Sequence, residues 1–242
     1  MYTKTHKLYY DLPYTMTGTA LVLSCIEDMV VLDKTLFFPE GGGQIGSIGW
    51  LKRGDHIYTV RDCTKRGGTT VFRPALPVVN VETEVLHLLT EPASPPLQPG
   101  DEVEMHVDEE HRARCRRHHS GLHPVLTVLQ NRLGHSLATA GCFIDAEHAR
   151  LDFRTDQKLT PELLAEVEAA VNGLIAEDLA VEMLPVEGVP EMFIWHVVGR
   201  SFLDQPCGGT HVRSLREIGC IALRRRRLGR GQERVYLTCV TE

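Results

Sequence analysis

The stretch Asp108–Leu133, DEEHRARCRRHHSGLHPVLTVLQNRL, divides the chain into two halves of different character. Its first residue is a favourable N-cap, and the two glutamates that follow suit the positive end of a helix dipole. Gly134 comes directly after it as a stop signal. The pattern predicts one long helix. Pro124 lies inside it and removes the hydrogen bond to Ser120, at a cost of about 3 kcal/mol, so we expect a kink just past His123.

The half before this helix consists of short predicted strands separated by turns. The segment Glu91–Gly100 holds four prolines and is predicted to be a loop. Together these signals indicate a small β-barrel or sandwich, with the domain boundary at Val107 and domains 1–107 and 108–242. The predicted strands are Ala20–Cys25, Met29–Asp33, Ile57–Val60, Thr70–Arg73, Val85–Leu89 and Glu102–Val107.

The second half mixes helices and strands and predicts an α+β domain with helices packed on a mainly antiparallel sheet. Thr160 as N-cap and Pro161 at the first position predict a second helix that ends near Leu179. Its apolar stripe is predicted at Leu163, Val167, Val171, Leu174 and Ile175. Strands are predicted at Arg150–Phe153, Val181–Val186, Phe193–Val198 and Cys220–Leu223, and CIALRRRR with ERVYLTCV is predicted to form a hairpin.

Composition narrows the class of protein. The 242 residues include 43% apolar and 24% charged residues, which is ordinary for a globular protein. No apolar run is long enough to span a bilayer, and the first residues do not form a signal peptide. We therefore expect a cytoplasmic location and no membrane partner. The seven cysteines include no CxxC pair, so a disulfide framework is not expected.

Two pairs of metal-binding side chains occur at the same spacing. His119 and His123 are four apart on the predicted helix, so their imidazoles project from one face. Cys207 and His211 have the same spacing within CGGTH, whose adjacent glycines permit a tight turn. Mixed nitrogen and sulfur ligands suit a zinc ion. Either pair alone is more often an ordinary surface or core feature, but both together favour a metal site.

Basic residues form two clusters in a chain whose net charge is −6. Arg112 and Arg116 lie on the same predicted helix face as His119 and His123, where guanidinium groups would hold phosphates of a nucleic acid. The alternative for these two residues is ordinary surface arginines. The clusters are Arg112, Arg114, Arg116 and Arg117, and Arg224–Arg227 with Arg230.

Several motifs together resemble the editing domain of alanyl-tRNA synthetase, and resemble still more its free-standing relatives, the AlaX-type alanyl-tRNA editing proteins. The resemblance covers nearly the whole chain. Its most specific parts are the two metal pairs, PEGGGQ and DQPCGGTHV. The motifs are HHSGLH (118–123), QPCGGTHV (205–212), EIG (217–219), LDKTLFFPEGGGQIGSIG (32–49), PGDEVEMHVD (99–108) and RLDF (150–153).

The resemblance implies a fold and an activity. It implies an N-terminal β-barrel followed by a two-layer α/β editing domain. It implies a trans-editing hydrolase for Ser-tRNA(Ala), and often Gly-tRNA(Ala), whose partner is the acceptor end of tRNA(Ala). It places the loop Gly41, Gly42, Gly43 and Gln44 near that end, although a tight structural turn is the alternative for these glycines. The implied zinc ligands are His119, His123, Cys207 and His211.

The chain departs from the family pattern beside these ligands. Leu122 replaces a common threonine, Pro124 replaces a leucine, and Thr139–Cys142 (TAGC) stands where QxGS is usual. A site that demands a substrate hydroxyl discriminates by about 10⁴–10⁵, whereas an apolar pocket reaches only about 10². Leu122 and Cys142 remove hydroxyl groups, and Thr139 and Thr210 supply them, so the preferred amino acid stays open.

The mechanistic hypothesis is a zinc-activated water that attacks the ester carbonyl. Backbone N–H groups of Gly208, Gly209 and Thr210 are candidates to stabilise the oxyanion, and Asp204 is a candidate to orient a ligand imidazole. Four protein ligands resemble a closed structural site, so one ligand is loosely held or the ion becomes five-coordinate. Two alternatives remain: a tRNA-binding module with a structural zinc, and a metallohydrolase for another ester or mischarged aminoacyl-tRNA.

Overall fold

The structure is a computed structural model that describes residues 4–229 and 231–240. Arg230, counted above in the second basic cluster, lies outside the described residues. The chain divides into two compact units. The first unit comprises residues 1–41, 45–112 and 185–192, and the second comprises 42–44, 113–184 and 193–242. The main division falls between residues 112 and 113 rather than at Val107. The short segment 42–44 belongs to the second unit, and the segment 185–192 belongs to the first.

The first unit is a closed β-barrel, which confirms the barrel among the two predicted alternatives. Its strand order is β10-β2-β3-β9-β6-β5, and every pairing, including that of β10 with β5, is antiparallel. Alternate side chains fill the interior, as in Val103 and Met105 of β10. Two further pairs, β1 with β4 and β7 with β8, lie outside the barrel. The strands of the first unit are β1 (His6–Lys7), β2 (Thr17–Ile26), β3 (Met29–Leu32), β4 (Lys34–Thr35), β5 (Gly49–Arg53), β6 (His56–Arg66), β7 (Thr69–Val71), β8 (Val79–Val81), β9 (Glu84–Leu89) and β10 (Glu102–Val107).

The second unit is a two-layer arrangement of helices on an antiparallel sheet, which confirms the α+β fold class. A four-stranded sheet has the order β11-β12-β17-β16, and β13, β14 and β15 form a smaller sheet. The elements are α1 (Glu109–Leu133), β11 (Ala138–Ile144), β12 (Ala149–Arg154), α2 (Pro161–Ala176), β13 (Val181–Pro185), β14 (Phe193–Val197), β15 (Gln205–Cys207), β16 (Cys220–Gly229) and β17 (Gln232–Val240).

Helix α1 runs through Pro124 as one α-helix, as the sequence predicted, and the kink expected past His123 stays a prediction. Helix α2 differs in detail from its sequence prediction. Helix α2 ends at Ala176, three residues before the predicted end. Its most buried stripe contains Leu164 rather than the predicted Leu163 and Leu174, which are only partly buried. The N-cap is as predicted, because the Thr160 hydroxyl accepts the N–H of Leu163 at 3.2 Å.

Helix α2 also protects the edge strand β16. The side-chain amide of Asn172 exchanges two hydrogen bonds with the backbone of Ile221, and Glu168 accepts the N–H of Leu223. An open strand edge is a site for unwanted pairing, so these contacts close it. Within the described part of the chain, neither helix combines the length and apolar character that a bilayer span requires. The cytoplasmic location stays a prediction.

Candidate metal centre

Helix α1 presents two stacked imidazoles from adjacent turns. The ring centroids of His119 and His123 are 5.5 Å apart, with an interplanar angle of 11°. Both side chains are buried. The spacing of four residues therefore places both rings on one helix face, and this face is turned inward.

The other two candidate ligands come from the turn after β15. Cys207 is the last residue of that strand, and His211 follows after two glycines and Thr210. A Cβ atom on Gly209 would lie 2.1 Å from Cε1 and 2.4 Å from Nδ1 of His119. Only glycine at this position allows the turn to approach α1 this closely. The glycine is therefore needed for the close contact with His119 as well as for the tight turn.

The four side chains converge to metal-binding distances. One ligand atom from each of His119, His123, Cys207 and His211 lies within 4.8 Å of the others. The Cys207 Sγ is 3.4 Å from Nε2 of His119 and 3.2 Å from Nε2 of His211. Zn–S of 2.3 Å and Zn–N of about 2.0–2.1 Å at tetrahedral angles require about 3.5 Å between ligand atoms. The donor set and its spacing therefore fit a zinc ion.

The ring of His123 supplies the strongest sign that the cluster needs a ligand. Among the described residues, neither its Nδ1 nor its Nε2 has a hydrogen-bond partner, although both atoms are buried. An unsatisfied buried polar group costs about 1–3 kcal/mol. The ring is held by stacking on Trp195, with centroids 4.7 Å apart and an angle of 15°. A metal bond to one nitrogen would offset much of this cost.

Two neighbouring polar groups orient the other imidazoles. The Oε1 of Gln44 accepts a hydrogen bond from Nδ1 of His119 at 2.8 Å, which leaves Nε2 unprotonated toward Cys207. In the matching tautomer of His211, Nδ1 donates to the hydroxyl oxygen of Ser120 at 3.1 Å. Metal-bound histidines commonly have such a partner on the second nitrogen. Gln44, which the sequence placed near the substrate, contacts the outer nitrogen of a candidate ligand, and its role toward a substrate stays a prediction.

Burial makes the cluster prefer neutral side chains. It lowers the pKa of His119 to about 3 and that of His123 to about 4, and it also lowers the pKa of His211. Burial raises the pKa of the Cys207 thiol to about 12. Neutral imidazoles are the form that binds a metal, and a divalent cation drives a coordinating thiol to its thiolate.

The amides predicted to form an oxyanion hole have other partners. The N–H of Gly209 points to the Cys207 sulfur at 3.5 Å, and the backbone of Gly208 contributes a hydrogen bond to the same thiol. The N–H of Thr210 donates to Oε1 of Gln44 at 3.2 Å. These amides support the ligand loop, so we assign them no role toward an ester.

Asp204 also lies away from its expected partner. Its carboxylate contacts Nδ1 of His196 at 2.8 Å rather than one of the four candidate ligands. Gln205 instead joins the ligand loop to α1, because its side-chain amide donates to the carbonyl of His123 and the hydroxyl of Thr127, both at 2.9 Å. The orienting groups at the cluster are therefore amide and hydroxyl side chains.

The remaining predicted substrate residues are scattered. Leu122 packs in the core of the second unit, while Thr139 is exposed on β11.

Gly43 has a φ of +85° and lies against Cys142, where a Cβ would come within 2.4 Å of the sulfur. Gly42 belongs to the same unit and its carbonyl accepts from the Cys142 thiol at 3.1 Å. Gly41 belongs to the first unit, where a Cβ would lie 2.9 Å from Nζ of Lys65.

The two arginines proposed for phosphates are buried. Arg112 is 1% exposed, and its guanidinium donates to the hydroxyl of Ser47 and the carbonyl of Leu36, so it serves the core of the first unit. Arg116 is 4% exposed and lies close enough to His211 to help lower its pKa. Neither matches the accessible position expected from the helical wheel. That wheel shows which residues share a face but not what covers it.

Sequence reasoning missed three residues that shape the cluster. Ser120 is next to His119 and Gln205 lies two residues before Cys207, so their place in HHSGLH and QPCGGTHV was a usable signal. Trp195 carried no such signal, because it comes from β14 and meets His123 only through the fold.

Comparison with known proteins identifies relatives of the whole chain. No family model matches it. The alanine–tRNA ligase of Methanoculleus marisnigri is 34% identical, over 90% of this chain and 23% of the ligase. The ligase of Methanocorpusculum labreanum is 34% identical over 91% of this chain and 24% of the ligase. The ligase of Methanothrix thermoacetophila is 32% identical over 97% of this chain and 25% of the ligase. The chain spans about a quarter of the length of the curated relatives it matches. The similarity to alanyl-tRNA synthetase that the motifs predicted is confirmed.

Proposed function

We propose that this chain, which is homologous to a segment of alanine–tRNA ligases, hydrolyses the ester of tRNA(Ala) that carries the wrong amino acid. The proposed substrates are Ser-tRNA(Ala) and Gly-tRNA(Ala), bound by the acceptor end, and the proposed metal is zinc. The observation that carries the proposal is the buried cluster of three imidazoles and one thiol, in which neither ring nitrogen of His123 has a hydrogen-bond partner among the described residues.

His119, His123, Cys207 and His211 are the residues that would hold zinc. When bound, zinc supplies Lewis-acid activation of water toward an ester. The chain's own part is to fix the ligands. Gln44 and Ser120 hold the outer ring nitrogens, and the amides of the ligand loop stabilise negative charge on the sulfur.

Recognition of serine requires a hydroxyl partner near the cluster. Thr210 is the better placed of the two threonines considered, because its Oγ1 accepts from Nε2 of Gln44 at 2.8 Å. The same Gln44 contacts His119, so Thr210 is one residue removed from a ligand. Because the amide occupies the oxygen as an acceptor, the Thr210 hydroxyl proton is left to be donated. Thr210 is only 2% exposed, however, so we assign its hydroxyl a role in holding Gln44 rather than a contact with the substrate.

The proposal is tested with a deacylation panel of Ser-, Gly- and Ala-tRNA(Ala), with and without a chelator. We expect hydrolysis of the mischarged forms, sparing of Ala-tRNA(Ala), and loss of activity on metal removal. Cys207→Ala should lose activity, whereas Cys239→Ala is a matched control, since both cysteines are half-buried and lie in the second unit. Full activity of Cys207→Ala at unchanged near-UV circular dichroism would contradict the proposal.

A tRNA-binding module with a structural zinc is the second candidate. The observation that favours it is the number of ligands, because four protein ligands within 4.8 Å resemble a closed site. It predicts that the acceptor stem still binds while no ester is hydrolysed under any metal condition. A hydrolase for another mischarged tRNA is separated from the first proposal by changing the tRNA while the esterified serine is kept.

A further inference from the structure

The four-stranded sheet of the second unit has a face that the helices do not cover. Leu151, Val235 and Leu237 point from it into the core with α1 and α2. Side chains alternate along a strand, so the residues between them point to the opposite side. Cross-strand register places four of these outward residues in one row, in the order Phe143, Arg150, Tyr236 and Arg224.

A second row lies next to the first. It pairs Arg226 of β16 with Arg234 of β17, and Arg234 with Asp152 of β12. Arg234 and Asp152 form a two-bond ion pair at 2.6 and 2.7 Å. Arg150 is 3.7 Å from the same carboxylate. The face therefore holds four arginines and one aspartate, and that aspartate contacts Arg234 and Arg150. We call the two rows the arginine face.

Aromatic rings lie under the arginines. The guanidinium carbons of Arg224 and Arg234 are each 5.8 Å from the ring centroid of Tyr236, and that of Arg150 is 5.6 Å from the ring of Phe143. Such contacts hold guanidinium groups over aromatic faces while their N–H groups remain available as donors.

The outer arginines lack acidic partners. Arg224 and Arg226 are exposed, and among the described residues neither has a carboxylate oxygen within 4 Å. The chain as a whole carries a net charge of −6, so the positive charge of this face is opposite in sign to the net charge of the chain. Like charges at close range are unfavourable unless an anion approaches them.

We propose that the arginine face binds the phosphate backbone of an RNA with unpaired nucleotides at its end. Phosphates accept bidentate hydrogen bonds from guanidinium groups, and the half-buried rings of Phe143 and Tyr236 offer stacking surfaces to unpaired bases. Arginine and tyrosine also occur in protein interfaces, but a protein partner would have to bring several carboxylates together to match these arginines, whereas each phosphate of a nucleic-acid backbone carries a negative charge. That the RNA is the acceptor end of a tRNA rests on the proposed function. The face adds a binding surface that is separate from the four-residue cluster.

The test measures binding of an RNA hairpin that carries no amino acid and copies the acceptor stem of tRNA(Ala) with its unpaired 3′ end. Arg224→Gln/Arg226→Gln should weaken binding about tenfold. The slope of log K against log salt should fall in magnitude by about 1.4–1.8, as expected for two lost phosphate contacts. Arg227→Gln is the control, since Arg227 is exposed on the same strand but points to the other side of the sheet. It should bind within twofold of the wild type.

The RNA carries no ester, so this result is independent of hydrolysis. Unchanged RNA affinity and salt slope in the double variant would overturn the inference, and so would an equal loss in Arg227→Gln. Thermal unfolding of each variant checks that the sheet is intact. If the double variant loses affinity but the wild type hydrolyses no ester, the proposed function fails and the RNA-binding face stands. If the wild type edits and the double variant binds normally, only the face is rejected.

Discussion

Two buried histidines, one in each unit, lie in contrasting surroundings. In the barrel, His87 contacts the hydroxyl of Thr35 through Nε2 at 2.7 Å and the carbonyl of Val30 through Nδ1 at 3.1 Å. In the second unit, His123 is also buried but lacks a hydrogen-bond partner at either ring nitrogen within the described residues. Burial lowers the pKa of each ring to about 4.

The difference teaches that burial alone does not mark a functional histidine. The partners of His87 satisfy a neutral ring, and Thr35 also accepts the N–H of Phe37, so this network is complete within the barrel. His123 keeps an unsatisfied ring next to three other ligand atoms. A complete network stabilises a fold, whereas an incomplete one converging on a point is arranged for a ligand.

The largest expected effect comes from removing the unsatisfied ring. His123→Ala should lower the rate of Ser-tRNA(Ala) hydrolysis by on the order of 10³-fold, because metal activation supplies several kcal/mol. His87→Gln should keep both bound metal and hydrolysis. Single-turnover deacylation and metal analysis of both variants check this. Equal loss of activity in the two variants would show that the contrast between the units is false.

The second prediction concerns pH and the barrel. The folded-state pKa of His87, about 4, lies below the ordinary value of 6.5, so below pH 6.5 the unfolded chain binds a proton that the folded chain excludes. The free energy of unfolding should therefore fall as pH drops from 6.5 to 4, by on the order of 3 kcal/mol from this residue. Urea unfolding should show that the free energy of unfolding of the wild type falls toward that of His87→Gln as pH drops from 6.5 to 4. The same pH dependence in both proteins would contradict the prediction.

The third prediction tests how closely the ligand loop approaches α1. Gly209→Ala places a methyl group on the ring of His119 and should weaken metal affinity by about 100-fold, the upper end of effects from disturbing ligand support. Gly173→Ala is the matched control, because a Cβ there meets nothing within 4 Å in helix α2. It should leave metal affinity unchanged and raise stability slightly. Competition with a chromogenic chelator measures both, and normal affinity in Gly209→Ala would show that the loop has room.

The smallest expected effect separates stability of the second unit from its metal site. Thr160→Ala removes the N-cap bond to Leu163 and should lower the free energy of unfolding by about 1 kcal/mol. Metal affinity should stay at the wild-type value, because α2 contributes none of the four ligands. Calorimetry and zinc titration provide the two readouts. A large fall in zinc affinity would mean that the cluster responds to general loosening.

The sequence predicted the parts of this account that depend on local spacing. Both metal pairs lie four residues apart, and the caps of the helices follow from their own first turns. Contacts across the fold were not predictable in this way. The burial of Arg112 depends on Ser47 and Leu36, and the role of Gln44 depends on a turn 166 residues away at Thr210. Shared helix faces can be counted along a chain, but what covers a face cannot.

X-ray absorption at the zinc edge, combined with metal analysis of the purified protein, tests the central claim most directly. The account predicts one zinc per chain with one sulfur at about 2.3 Å and nitrogen ligands at about 2.0–2.1 Å. His123→Ala should lose the metal or one nitrogen ligand, while His87→Gln keeps the wild-type spectrum. Deacylation by a fully metal-free protein, or an identical zinc environment in His123→Ala, would contradict the account.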